Sequence, residues 1–121
     1  MKFLFVCVGN SCRSQIAEAV ARDLGHEAHS AGTEPAKSVH KNAIIALNSV
    51  GINTSGLYPK HLDTINIEGH TVVSMGCGVK CPDIEIHYDL GLGDPKYEKL
   101  DYFIELIDII KNNIITIIND N

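Results

Sequence analysis

The run Lys2-Phe3-Leu4-Phe5-Val6 is almost wholly apolar and ends at Cys7, a pattern that predicts a strand buried on both faces. Small and polar residues follow, Val8-Gly9-Asn10-Ser11-Cys12, and predict a loop. Ile16, Ala17, Val20, Ala21 and Leu24 then recur at helical spacing, and Gly25 supplies the stop. The chain therefore opens as strand, tight loop, helix. Residues 27–30 predict a short strand running into the turn Ala31-Gly32-Thr33, closed by Pro35. Ala43, Ile44, Leu47 and Val50 repeat at helical spacing before Gly51. Residues 60–67 have room for one short helix. Residues 71–75 form a β-branched strand leading into a Gly/Cys loop, and residues 85–90 read as a last strand. From Tyr97 onward, Leu100, Phe103, Ile104, Ile107, Ile114 and Ile118 share one helical face, with fraying expected at the Ile/Asn-rich tail.

Strands alternating with helices predict an α/β fold, a parallel sheet covered on both sides through right-handed crossovers. The chain has 121 residues and no linker, repeat or low-complexity segment, so residues 1–121 are expected to form one domain. Apolar residues make up 45%, which excludes a disordered chain. Ten basic residues against 15 acidic ones give a net charge of −5, with no basic stripe, so a nucleic-acid partner is not expected. No apolar run approaches the ~20 residues of a membrane span. The N-terminal run stops at Gly9 with no small-residue cleavage site, so neither a membrane partner nor a secretory signal is expected. The expectation is a cytoplasmic monomer.

The four cysteines fall in two pairs, Cys7 with Cys12 and Cys77 with Cys81. Paired thiols in a chain rich in core aliphatics point to redox, nucleophilic or metal chemistry rather than to a disulfide scaffold. The spacings, C-x4-C and C-x3-C, are not those of zinc ribbons. Residues four apart on a helix have Cα atoms about 6 Å apart, within disulfide reach. The metal reading for Cys77 and Cys81 has only His87 as a third ligand, and none of the six histidines, His26, His29, His40, His61, His70 and His87, falls in a metal spacing. Most are expected to be solvated or on strand faces.

The chemistry concentrates in Cys7-Val8-Gly9-Asn10-Ser11-Cys12-Arg13-Ser14, a C-x5-R-S sequence between strand and helix. A loop of small residues entering a helix N-terminus turns successive N–H groups inward as an anion cradle. Gly9 is expected to permit close approach and unusual dihedrals, and Asn10 to tolerate the left-handed region. Arg13 can bracket two oxyanion oxygens through its planar fork. The same positive field favours the Cys7 thiolate, in sites where thiols titrate below the ordinary ~8.5. The Ser14 hydroxyl can donate to the Cys7 sulfur. Residues 76–81 and Asp94 follow later strands, so all three regions should meet at the carboxyl edge of the sheet.

The segment VCVGNSCRSQIAEA resembles the active-site loop of the low-molecular-weight protein tyrosine phosphatase superfamily and, more narrowly, of the arsenate reductases that share that fold. Further matching pieces are Ser30-Ala31-Gly32-Thr33, Pro59-Lys60-His61-Leu62, Val73-Ser74-Met75-Gly76-Cys77, Cys81-Pro82 and Asp94-Pro95. The resemblance implies a four-stranded parallel sheet flanked by helices, with Cys7 as nucleophile, Asp94 as general acid, and Val8, Gly9, Asn10, Ser11, Cys12 and Arg13 cradling arsenate or a phosphate-like oxyanion. It also implies Cys77 and Cys81 as redox cysteines regenerated by thioredoxin or a similar dithiol, with no cofactor; their compact C-x3-C spacing departs from several members. Gln15 after Arg13-Ser14, Lys96 after Asp94-Pro95, and the lack of aromatics in residues 34–56 favour reductase over phosphatase, which remains the alternative. A non-enzymatic oxyanion sensor or thiol switch is the third reading, against which Asp94 argues. Cys12 is expected to be a packing residue or an off-pathway partner of Cys7. Some of these reductases hold a monovalent cation behind the loop. The matching residues are Asn10, Glu18 and Ser30, but His61 stands where an acidic ligand is expected, which argues against a potassium site here.

Overall fold

The computed structural model describes residues 1–76 and 84–121. Four strands, β1 (Lys2–Cys7), β2 (Glu27–Gly32), β3 (Thr71–Ser74) and β4 (Tyr88–Asp89), pair in the order β2-β1-β3-β4, with every neighbour parallel. Three helices accompany them, α1 (Arg13–Asp23), α2 (Lys41–Ser49) and α3 (Leu100–Asn119). The expected short helix within residues 60–67 is a single 3-10 turn, Leu62–Thr64.

The apolar first strand is central because it is buried on both faces. Phe3 and Phe5 face one side and stack at 5.3 Å, and there they join Ile16, Val20, Leu47, Phe103, Ile107 and Ile110, so all three helices share that core. Leu4 and Val6 face the other side with Ala31, Val72 and Leu62. Partly buried Ile65, Ile67, Ile84 and Ile86 cover this second face. The sheet is thus covered on both sides, as expected, with the three helices packed on the Phe3/Phe5 face. The second layer is built from irregular chain, because residues 52–70 carry single isoleucines and leucines rather than a helical stripe.

The last strand is also shorter than expected. His87 is the reason: its Nδ1 accepts the Val72 N–H at 2.9 Å, taking a ladder position on β3 with a side chain. Regular pairing begins one residue later, at Tyr88 opposite Val73. The final helix starts at Leu100 rather than Tyr97, which is 92% exposed, and its buried face is Phe103, Leu106, Ile107, Ile110, Ile114 and Ile117.

His70, only 8% exposed, packs edge-on to His29 with ring centroids 5.5 Å apart. Burial lowers its pKa below the ordinary 6.5. The fold thus favours the neutral ring, and below about pH 6.5 the unfolded chain binds the extra proton. This stabilisation is complete above pH 6.5 and declines as pH falls through the folded value. Urea midpoints are expected to drop between pH 7.5 and 5.5, with a shallower drop in His70→Phe. Parallel pH slopes for the two proteins overturn this assignment.

Candidate active site

The β1 strand delivers Cys7 to the carboxyl edge of the sheet, and α1 begins six residues later at Arg13. Between them the loop closes around the sulfur. The Asn10 N–H donates to Cys7 Sγ at 3.0 Å, and Ser14 Oγ lies 2.9 Å from the same atom. Asn10 Nδ2 donates to Ser14 Oγ at 2.8 Å, so the Ser14 hydroxyl has its own hydrogen to give to the sulfur. Both donors favour a negative charge on Cys7. Asn10 is fully buried at φ 49°, the left-handed backbone its sequence position suggested.

The loop carbonyls show which way its N–H groups face. Cys7 O accepts from Thr33 N, Val8 O from Glu34 N, Gly9 O from Ala36 N, and Ser11 O from His40 N, all at 2.9–3.2 Å. Asn10 O accepts from Gln15 Nε2 at 2.9 Å. Residues 33–40 thus form an outer hoop that holds the carbonyls away from the cleft. In a trans peptide the following N–H points opposite to the C=O, so the loop N–H groups turn inward.

The close approach of β2 to this loop depends on Gly32. A Cβ at Gly9 meets nothing within 4 Å, whereas one at Gly32 falls 2.4 Å from Val8 O and 3.1 Å from Asn10 N. The end of β2 must therefore be bare for the loop to lie over it. The Ser30-Ala31-Gly32-Thr33 sequence, a turn and a piece that matches the family, carries this requirement.

The cleft above the loop has a volume of about 500 Å³. Cys7, Val8, Gly9, Asn10, Ser11, Cys12 and Arg13 line it together with Asp94, Lys96, His40 and Gly76. Arg13 Nη1 donates to Leu92 O at 2.7 Å, which ties the loop to the segment carrying Asp94. Asp94 Oδ1 in turn accepts the Lys96 N–H at 3.0 Å. Ser11 sends its hydroxyl outward to Ser38 O at 3.3 Å, so only its backbone serves the cleft. Cys12 packs in the core, and burial raises its pKa above the ordinary thiol range, so it stays a thiol at neutral pH. That supports its packing role.

Cys77 and Cys81 lie outside the described residues. Gly76 does not: it lines the cleft, at φ 94°, and a Cβ there falls 2.4 Å from Leu92 N. The residue that precedes Cys77 in sequence therefore stands in the wall of the cleft that holds Cys7.

The region behind the loop does not suit a monovalent cation. The Glu18 carboxylate, fully buried, accepts from Ser30 Oγ at 2.8 Å and sits 3.6 Å from Lys60 Nζ. Arg22 Nη1 lies 3.0 Å from its other oxygen, a charge pairing without hydrogen-bond alignment. Two protein cations thus already neutralise it. His61 does not join them: its Nδ1 accepts from Asp63 N at 3.0 Å, capping the 3-10 turn. The basic residue behind the loop is Lys60, one place earlier than the position singled out in the sequence. Of the other histidines, expected to be mostly solvated or on strand faces, His29 lies on β2, and His26 Nδ1 contacts the N-terminal amine at 2.8 Å. No cluster of three metal-ligating side chains occurs among the described residues.

A strand, an anion-cradling loop ending in Arg-Ser and an acid on a later loop are the parts of a phosphatase-like active site. The pattern of the low molecular weight phosphotyrosine protein phosphatase family matches residues 2–80, and the chain belongs to that family. Within it, the chain is 39% identical to a glutaredoxin arsenate reductase from Synechocystis, over 84% of each chain. It superposes on an arsenate reductase in the phosphate binding state with a TM-score of 0.87 at 35% identity, covering 99% of this chain and 98% of that one. A thioredoxin-dependent arsenate reductase from Corynebacterium glutamicum gives a TM-score of 0.76 at 34% identity, covering 99% of this chain and 63% of that one.

Proposed function

We propose that this chain reduces arsenate to arsenite. Cys7 thiolate attacks arsenic in the cradle of residues 8–13, and Asp94 protonates the departing oxygen so that water leaves. Cys77 thiolate then attacks Cys7 Sγ. The sulfur–arsenic bond breaks with its electron pair staying on arsenic, which leaves as arsenite, and a Cys7–Cys77 disulfide remains. Cys81 attacks Cys77, frees the Cys7 thiolate and forms Cys77–Cys81, which an external dithiol such as thioredoxin reduces. Two thiols are oxidised as arsenic gains two electrons, so each turnover balances.

The observation that carries this reading over phosphate-ester hydrolysis is the position of Gly76 in the cleft wall, one residue before Cys77. The alternative, a phosphatase forming a Cys7 phosphocysteine, needs no second thiol. For phosphotyrosine it also needs aromatic or broad apolar walls. No Phe or Tyr lines the cleft among the described residues, and Tyr58 and Tyr97 are 59% and 92% exposed. The arsenate reductases among the relatives support the reductase reading. The chain is proposed to act as one cytoplasmic domain; no described helix is long and apolar enough to cross a membrane.

The test is mass spectrometry of disulfides trapped after one arsenate turnover. A Cys77–Cys81 bond is expected in the wild type and a Cys7–Cys77 bond in Cys81→Ser. Arsenite formed at full multiple-turnover rate by Cys77→Ser overturns the relay.

A further inference from the structure

The His40 ring is bound on both nitrogens. Its Nδ1 accepts the Asn42 N–H at 3.1 Å, capping α2, and its Nε2 lies 3.0 Å from Lys96 O. An acceptor Nδ1 carries no hydrogen, so these partners fix the tautomer in which Nε2–H donates to Lys96. The ring leans on Phe103 of α3, with centroids 4.8 Å apart, and the His40 backbone N–H donates to Ser11 O at 2.9 Å. One residue therefore joins the anion loop, the start of α2, the face of α3 and the loop carrying Asp94.

The contact with Lys96 bears on the chemistry. The Lys96 N–H holds Asp94 Oδ1, and the Lys96 carbonyl is what His40 holds. We propose that His40 is a positioning residue: by fixing Lys96 it sets where the Asp94 carboxyl sits over the cleft. This rests on the reading of Asp94 as the acid. Positional errors of this kind slow a reaction without weakening ground-state binding, because the misplaced group acts only in the transition state.

Two substitutions separate this role from a purely structural one. His40→Asn keeps an oxygen where Nδ1 stands, among the best helix caps, but is too short to reach Lys96. His40→Gln places an amide N–H where Nε2–H stands and gives up the cap. Both lose the ring packing on Phe103. A structural role therefore ranks Asn above Gln in stability and in rate together. The strap predicts opposite orders: Asn the more stable by urea midpoint, but slower by about tenfold in single-turnover arsenite formation, with Gln within about twofold of wild type. Binding of inorganic phosphate, measured by calorimetry, is expected to be unchanged in both. Amides of residues 93–98 are expected to exchange faster in the Asn variant alone. Rates that follow the stability order, or unchanged exchange at 93–98 in His40→Asn, overturn the proposal. Faster exchange with an unchanged rate, where Asp94→Asn is equally silent, overturns the acid reading of Asp94 and not the strap.

Discussion

Arg13→Lys is expected to lower kcat/KM for arsenate about a thousandfold, near the upper end of what one preorganised donor group contributes to an anionic transition state. That is about 4 kcal/mol. The size follows from two simultaneous duties. One guanidinium nitrogen donates to Leu92 O at 2.7 Å, while the group as a whole lines the cleft beside the loop N–H groups. A planar fork can do both, holding the Leu92 carbonyl with one arm and meeting oxyanion oxygens with the others. A lysine ammonium is a single point. If it stays on Leu92 the anion loses its partner, and if it turns to the anion the Asp94 segment loses its tie to α1. Because charge on the oxyanion grows as sulfur attacks, most of the loss should fall in kcat rather than KM. Arsenate-dependent thiol oxidation across substrate concentrations measures the split. A loss below tenfold means that the ring of N–H groups carries the charge alone.

Much of this site was legible because its first part is local. Strand, loop and helix sit within 24 consecutive residues, and C-x5-R-S has one physical use in that setting. The left-handed Asn10 and the Ser14–Cys7 contact were also local enough to read. What escaped is what depends on residues distant in sequence. Gly9 looked like the conformationally special position, yet the crowding is at Gly32, where β2 passes beneath the loop. His40 has no metal spacing and nothing local marks it out from histidines that are solvated or on strand faces, yet it bonds Lys96, 56 residues on, and lines the cleft. The shortened β4 has the same origin, since nothing in residues 85–90 reveals that His87 will cap a Val72 N–H. Hydrophobic period likewise gave the helices but not their side of the sheet, which only the packing of Phe3 and Phe5 against all three decides.

Lys60→Met is expected to cost about 2 kcal/mol of stability, somewhat less than a fully buried pair loses when one partner is removed. Lys60 Nζ is 3.6 Å from Glu18 Oε1, with the lysine side chain 10% exposed and the carboxylate fully buried. Burial lowers the Lys60 pKa and the Glu18 charge pulls it back, so the ammonium is disfavoured by its surroundings and held chiefly by its partner. Removing it leaves an anion in the interior with, among the described residues, Arg22 and the Ser30 hydroxyl to offset it. Adding Glu18→Gln should restore most of the loss: the amide oxygen still accepts from Ser30, and Arg22, 40% exposed, is left to water. Near additivity in this double-mutant cycle, measured by urea unfolding, rules out the pair. Exchanging sodium for potassium chloride at constant ionic strength should leave the wild-type midpoint unchanged, because Lys60 and Arg22 already supply the positive charge. The effect reaches the chemistry through the backbone, since the Lys60 N–H donates to Asn10 Oδ1 at 3.0 Å and Asn10 in turn holds Ser14 and Cys7. Lys60→Met should therefore also slow iodoacetamide alkylation of Cys7, as the donors that favour its thiolate lose their alignment, and Glu18→Gln in the same chain should recover both properties together.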